Sequence, residues 1–551
     1  MNASSMPWWQ HAVVYQIYPR SFYDSNGDGV GDLSGILEKV DYIARLGVDA
    51  VWLNPIFRSP YDDGGYDISD YCAIHDEFGT MEDFDRLLAA LHSRGIRLII
   101  DVVLNHSSDE HVWFVESRKS TDNPYRDYYF WRQGKGNQPP NNWPSFFGGS
   151  AWQYDAATDA YYLHLFSKKQ PDLNWENPIV RAELAAIMEF WLQKGVDGLR
   201  LDVISAISKH PDFPDTDTPD FNETIRKYYA NGPRLQEFVA EMRERVWDHY
   251  PCMTVGEGPG ITPQNARDYL DAQRGLNMIF HFGHMFMDQG PGGRFDPIPW
   301  TLRDFKQVFS TWHNALAEQG WGSIFLGNHD FARMVSRWGN DDEHWRSSAT
   351  LLLTLMLTQR GTPFVYAGDE IGMTNLTLGS VDESKDIETR NGWRQAQARG
   401  VPEAEFLRVA NYSGRDNARS PFQWSAQQHA GFTTGEPWMV VNPNFCQINV
   451  DAQEADDRSV LQYFRNLVRF RRQHAVLAIG DYIPVPYREE EIFAYRRVTD
   501  DEKILVVMNF SNQPRTLETS WLPPDAEWRF GNEPAPQGNV WQPWQVAIYA
   551  L

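Results

Sequence analysis

Between residues 13 and 370, short apolar runs rich in β-branched and aromatic residues alternate with longer stretches of helical periodicity. Eight runs have strand character: VVYQIYP (13–19), VDAVWLNP (48–55), IRLIIDVVLNH (96–106), VDGLRLDV (196–203), CMTVGE (252–257), LNMIFHF (276–282), GSIFLGNHD (322–330) and TPFVYAGDE (362–370). Between them lie segments such as MEDFDRLLAALHSRG and VRAELAAIMEFWLQKG, whose apolar residues recur at helical spacing. Continuous apolar strands separated by helices predict a parallel sheet covered on both faces, and eight repeats fit an α/β fold of the (β/α)8 TIM-barrel type.

Two features break the repeat. Residues 107–174 are rich in Trp, Tyr, Asn, Pro and Gly and too long for a connecting loop; they predict an irregular domain inserted after strand three. From residue 478 onward EEIFAYRRV, KILVVMNFS and WQVAIYAL alternate apolar and polar positions between turn signals, which predicts a C-terminal antiparallel β domain, a sandwich. The expected division is therefore barrel (1–106), inserted domain (107–174), barrel (175–477) and β domain (478–551).

In such a barrel, functional groups sit at the C-terminal strand ends. Strand three ends in Asp101, Asn105 and His106, strand four in Arg200 and Asp202, strand five in Glu257, strand seven in His329 and Asp330, and strand eight in Asp369 and Glu370. One such carboxylate is ordinarily a helix cap or an ion-pair partner. Several converging on one rim predict a site. No HExxH, GxSxG, GxxxxGK[ST] or GxGxxG pattern occurs in the strand–turn–helix context each needs. Carboxylates, two histidines and an arginine among aromatics suit glycoside chemistry, which divides the work between two carboxyl groups.

The loop DSNGDGVGD (24–32) raises a separate expectation. Asp24, Asn26, Asp28 and Gly29 fit the first half of an EF-hand loop, but position twelve is Gly35 and the preceding segment reads as a strand. Asp24, Asn26, Asp28 and Asp32, with a backbone carbonyl near Val30, form an oxygen set for one hard cation, Ca²⁺ or Mg²⁺; the bland reading is a solvated Asp/Gly turn.

Composition narrows the partners. A net charge of −24 argues against nucleic acid or an anionic membrane surface, and 22 tryptophans suit a site for ring-shaped ligands. Cys72, Cys252 and Cys446 imply no disulfide framework. The start MNASSMPWWQ has no signal-peptide pattern, and LLLTLMLT (351–358) is too short to span a bilayer. A soluble, cytoplasmic monomer acting on a small oligosaccharide or disaccharide is expected.

DVVLNH, GLRLD, the strand-end GE and NHD, in that order, make the chain resemble the α-amylase family of glycoside hydrolases, and QPDLN (170–174) resembles its oligo-1,6-glucosidase group. The cation loop after strand one occurs in that group and implies a structural metal, Ca²⁺. The resemblance implies that Asp202 is the nucleophile, Glu257 the general acid/base and Asp330 a third carboxylate holding sugar hydroxyls. It implies hydrogen-bond donation to the same ring by His106 and His329, a stacking Tyr66, and an Asp63–Arg415 pair that seals the pocket beyond the terminal glucose, with Arg419 as the nearby competitor. A sealed pocket makes the enzyme exo-acting. Arg200, two residues before Asp202, faces the same way and supplies it a positive partner; Glu257 needs a raised pKa to carry a proton.

Valine at position 203 resembles members that prefer α-1,6 links, and it bears on the +1 sugar only if strand four ends at Asp202. Sucrose isomerases of the family carry a basic loop where MFMDQG (285–290) offers Phe286 and Gln289, which favours hydrolysis. Trehalose-6-phosphate hydrolases need a cationic phosphate pocket that the sequence does not locate. A non-enzymatic sugar-binding relative would have lost a carboxylate, and all three are present. Gly327, Phe331 and Ala332 (GNHDFAR), YAGDE and FHFGH depart from the usual family pattern and leave the aglycone open.

Overall fold

The computed structural model describes residues 6–317, 320–485, 490–518 and 522–551. Residues 1–5, the start of the segment read for a leader, lie outside it.

Among the described residues, eight strands form one parallel sheet: β1 (Val14–Ile17), β2 (Ala50–Leu53), β3 (Arg97–Val103), β4 (Gly198–Asp202), β5 (Met253–Gly256), β6 (Met278–Ile279), β7 (Ser323–Ile324) and β8 (Thr362–Tyr366). The order is β6-β5-β4-β3-β2-β1-β8-β7, and a parallel bridge between Ile279 and Gly322 joins the two ends into a closed barrel. The eight apolar runs therefore become the eight barrel strands. Their ends are shorter than expected in two places. The run at 276–282 keeps only two residues as strand and so does the run at 322–330, because the chain turns outward to the rim; at β7 the Asn328 side chain caps that turn by accepting from the Asp330 N–H at 2.8 Å.

Local signals set the helices. Thr80 and Asp83 form a reciprocal capping box at the start of helix Met81–Ser93, whose Phe84, Leu87, Leu88 and Leu91 face the core. Asn177 caps helix Pro178–Gln193 with proline at its first position.

Residues 107–174 carry a short helix (Val112–Ser117) and a three-stranded antiparallel sheet built from Trp131–Arg132, Ala160–Leu163 and Trp152–Asp155. Their return path is stitched to β3: the Asn105 carbonyl accepts from Leu173 N–H at 2.9 Å and the Pro171 carbonyl from Ser107 N–H at 3.2 Å.

At the C-terminal end, β9 (Asp481–Pro484), β10 (Ile492–Val498), β11 (Lys503–Asn509), β12 (Glu527–Gly531) and β13 (Val546–Ala550) pair antiparallel in the order β9-β10-β11-β13-β12. A two-stranded ribbon of Arg515–Thr516 and Val540–Trp541 accompanies them. Arg497 of β10 is wholly buried and donates to the carbonyls of Thr358, Leu477 and Gly480, fastening this sheet to the barrel. Among the described residues no helix is long and apolar enough to cross a membrane.

Candidate active site

Sheet register places the first site residues. Arg200 lies opposite Asp101 of β3 and Val255 of β5, and side chains two apart on a strand share a face, so Asp202 rises above Arg200. Glu257 follows the last residue of β5, and its N–H donates to the Leu201 carbonyl at 3.0 Å, which brings it level with Asp202. One guanidinium then serves three carboxylates. Arg200 Nη1 is 2.7 Å from Asp101 Oδ1 and 2.5 Å from Asp202 Oδ1, and Nη2 is 3.1 Å from Glu257 Oε2.

Burial raises the pKa of both Asp202 and Glu257; Arg200 opposes this in each, and neighbouring carboxylates add to it. Arg200 makes its shorter contact to Asp202, and this favours the anion on Asp202 over that on Glu257.

Strand β4 ends at Asp202. Val203 has φ 46° and ψ 37°, a left-handed conformation costly for a β-branched residue. The turn aims Val203 N–H at Glu257 Oε2, 3.2 Å away, and places the valine side chain in the pocket wall.

His329 and Tyr66 stack with ring centres 5.2 Å apart. Gln16 Nε2 lies 2.9 Å from His329 Nδ1, which makes Nδ1 the acceptor and leaves the ring proton on Nε2, 2.6 Å from Tyr66 Oη and 3.1 Å from Asp330 Oδ2. Tyr66 in turn donates to Asp101 Oδ2 at 2.8 Å. Burial pushes His329 down to about 3 and His106 to about 4, so both rings are neutral at neutral pH. Burial alone would raise Asp330, but His329, Arg415 and Arg419 hold it well below the usual carboxylate range. At neutral pH the arginines do this, since His329 is then uncharged.

Arg415 donates to Asp63 at 3.0 Å and approaches Asp330 at 3.3 Å. Arg419 instead donates to Asp330 at 2.9 Å and to the His329 carbonyl at 3.0 Å, so the partner of Asp63 is Arg415. These groups face a cavity of about 510 Å³ lined by Asp63, Tyr66, His106, Asp202, Val203, Glu257, Asp330 and Arg415, within the size range of small-ligand sites. The structure thus brings together the expected residues; Arg200 and His329 lie beneath the cavity floor.

Asp369 and Glu370 are the correction. Expected at the rim, they turn into the body of the protein through Gly368 (φ 104°). Glu370 Oε1 accepts from Tyr15 Oη at 2.6 Å and Tyr42 Oη at 2.8 Å, and neither acid lines the cavity.

Several site groups were not foreseen. Gln170 Nε2 bridges Asp63 Oδ2 (3.1 Å) and His106 Nε2 (3.2 Å); its run QPDLN was singled out without a role for this side chain. Asp386 caps helix Ile387–Ala398 and takes Arg415 at 2.5 Å. Glu388, in the first turn of that helix, takes Arg294 at 2.9 Å, and both line the cavity. The N-cap pattern of KDIETR is the signal that marks the last two. Phe282, Phe286 and Phe331 form an aromatic wall at the opening, with rings 5.3 to 6.1 Å apart.

In the loop 24–32, Asp24 and Asp32 are buried, and among the described residues no Lys or Arg pairs with Asp24, Asp28 or Asp32. Backbone N–H groups of Asn26, Gly27 and Gly29 converge on Asp24, and Asp32 caps the following helix. Burial raises Asp32, and Asp24 adds to that. Buried carboxylates that hold hydrogen-bond donors but no cationic side chain fit a cation. Among the described residues no three His, Cys, Asp or Glu side chains alone form a metal cage, so the set needs the Asn26 amide and the Val30 carbonyl.

The family described as alpha amylase, catalytic domain, matches residues 16–480, and that described as maltogenic amylase, C-terminal domain, matches residues 485–542. An oligo-1,6-glucosidase of Parageobacillus thermoglucosidasius is 52% identical over 510 residues, 92% of this chain and 91% of the relative. The oligo-1,6-glucosidase of Heyndrickxia coagulans is 48% identical over 99% of both chains. Among solved structures, the isomaltulose synthase PalI of Klebsiella sp. LX3 superposes with TM-score 0.95 at 43% identity, covering 99% of this chain and 100% of its own. The trehalulose synthase MutB of Pseudomonas mesoacidophila MX-45 superposes with TM-score 0.94 at 45% identity, with the same coverage.

Proposed function

The chain belongs to the α-amylase family of glycoside hydrolases, and from that premise we propose that it is a retaining, exo-acting α-glucosidase that releases glucose from the non-reducing end of short α-1,6-linked glucosides such as isomaltose, isomaltulose and isomalto-oligosaccharides. The observation that carries this is the single Arg200 guanidinium joining Asp202 and Glu257 beside a pocket end closed by Asp63 and Arg415.

Asp202 is the nucleophile and Glu257 the acid. Glu257 gives its proton to the glycosidic oxygen while a carboxylate oxygen of Asp202 bonds the anomeric carbon and the carbon–oxygen bond to the leaving sugar breaks. Glu257, now a carboxylate, takes a proton from water as that water attacks the same carbon and frees Asp202. Two displacements return the α configuration. Asp330, ionised by its arginines, complements positive charge developing on the ring; His106 lines the pocket beside it, and His329, expected as a donor to the sugar, instead supports Tyr66 and Asp330 from beneath, with Tyr66 as the stacking platform. The paired Asp63 and Arg415 bind terminal hydroxyls and leave no passage for a longer chain.

Relatives named oligo-1,6-glucosidase support hydrolysis of 1,6 links. Solved neighbours include a trehalulose synthase and an isomaltulose synthase, but the segment 285–290 presents Phe286 and Gln289 to the cavity, which favours release of the leaving sugar over its recapture. A phosphorylated substrate is disfavoured. Among the described residues five carboxylates line the cavity against Arg294 and Arg415, and both arginines are already paired. The loop 24–32 holds a structural Ca²⁺ through Asp24, Asn26, Asp28, Asp32 and the Val30 carbonyl, supplying charge compensation ahead of the first barrel helix and taking no part in bond cleavage. The protein works as a cytoplasmic monomer. A panel of isomaltose, isomaltulose, maltose, sucrose, trehalose and trehalose-6-phosphate with product analysis tests the reading. Glucose release fastest from isomaltose or isomaltulose supports it; isomerised sucrose as the main product contradicts it.

A further inference from the structure

A lysine is buried in the seam between the barrel and the inserted segment, outside the groups assigned to the substrate. The Lys209 ammonium donates to Asp172 Oδ2 at 2.9 Å, Asn105 Oδ1 at 2.8 Å and the Ala206 carbonyl at 2.6 Å. The Lys209 and Asp172 side chains are 1% and 0% exposed. Burying both charges is costly, and the pair persists only because its geometry is complete.

Its three acceptors come from three segments, and each segment carries a pocket group. Ala206 belongs to the turn that begins at Val203. Asn105 precedes His106, and its amide nitrogen donates to Asp172 Oδ2 at 3.0 Å. Asp172 lies two residues beyond Gln170, whose amide contacts both His106 and Asp63. The other oxygen of Asp172 accepts from Leu165 N–H at 2.8 Å, next to Phe166, which lines the cavity with its ring 5.1 Å from that of His106.

We propose that the Lys209–Asp172 ion pair is a positioning clamp that sets His106, and through Gln170 also Asp63, against the terminal glucosyl unit. Lys209 is a positioning residue and touches no reacting atom. The proposal rests on the reading of the cavity as a glucosyl site. A clamp and a merely structural ion pair differ in one respect. A neutral replacement of both partners relieves the unpaired buried charge and restores stability, but it cannot tie the three segments at the same point.

The test compares wild type, Lys209→Met and the double variant Lys209→Met, Asp172→Asn. Melting temperature is measured together with kcat and KM on isomaltose, at a temperature where all three are folded by circular dichroism, with rates normalised to folded protein. Lys209→Met should lose melting temperature and at least tenfold in kcat/KM. The double variant should regain most of the melting temperature while keeping a loss of tenfold or more, with raised KM contributing. Recovery of kcat/KM to within twofold of wild type in the double variant, or a single variant that loses stability alone, overturns the clamp. A wild type that cleaves no α-glucoside overturns the functional reading and the clamp with it.

Discussion

Replacing Val203 by alanine tests how the site chooses its linkage. Val203 is the first residue past β4, in a left-handed turn, with its side chain in the pocket wall and packed in an apolar group with Ile225. Its backbone N–H to Glu257 survives the change, so the acid keeps this partner and the side chain alone is removed. The two deleted methyl groups face the region where the leaving sugar must lie, next to Glu257. A methyl in a pocket discriminates by about 1–3 kcal/mol, roughly 10- to 200-fold in kcat/KM. Losing two buried methyls costs about 1.6 kcal/mol, and relief of the positive-φ strain of a β-branched residue returns about 1 kcal/mol. Net stability therefore changes by less than about 1 kcal/mol, and kinetics are read on folded protein. The assay is kcat/KM for maltose and isomaltose on wild type and variant. The maltose-to-isomaltose ratio should rise about tenfold or more. An unchanged ratio, or a wild type that already prefers maltose, removes Val203 as the determinant and turns attention to Phe331 in the aromatic wall.

Asp63→Asn should lower kcat/KM on isomaltose about 100-fold through KM, because a charge-assisted contact worth about 1.5–3 kcal/mol to Arg415 and the sugar is lost; a loss in kcat alone would contradict the sealing role. Burial raises Asp369 to about 7, so the folded state binds a proton that the unfolded chain releases near pH 4. That stability, roughly 4 kcal/mol, is fully present below pH 4 and lost as pH rises toward 7. Asp369→Asn should flatten the fall in melting temperature across that window, and an unaltered pH profile would refute the assignment. Chelation should lower the melting temperature of wild type, with recovery on added Ca²⁺ following mass action; Asp24→Ala should abolish the response, and a wild type indifferent to chelator and Ca²⁺ would end the metal reading.

The barrel was legible because its strands are largely apolar runs on both faces, a requirement of helices packed outside a filled interior. Asp202, Glu257 and Asp330 stood out as ionisable groups ending such runs, and the structure gathers them around Arg200, Arg415 and Arg419. Asp369 and Glu370 carried the same signal but point into the protein, because the direction of a turn after a strand depends on tertiary partners; Tyr15 and Tyr42 lie 355 and 328 residues from Glu370 in sequence. Gln170, Asp386 and Glu388 come from a returning insertion and a helix cap. There no periodicity marks which polar side chain joins the pocket groups. Lys209 was invisible for a related reason: its three acceptors belong to segments that only the fold brings together.

The central claim is retention by an exo-acting enzyme, and one experiment reads both parts. Proton NMR of isomaltotetraose during the first minutes of digestion, before mutarotation equilibrates the products, should show α-glucose appearing with isomaltotriose. β-Glucose as the first anomer would contradict the roles of Asp202 and Glu257, and isomaltose as the initial product would contradict the pocket sealed by Asp63 and Arg415.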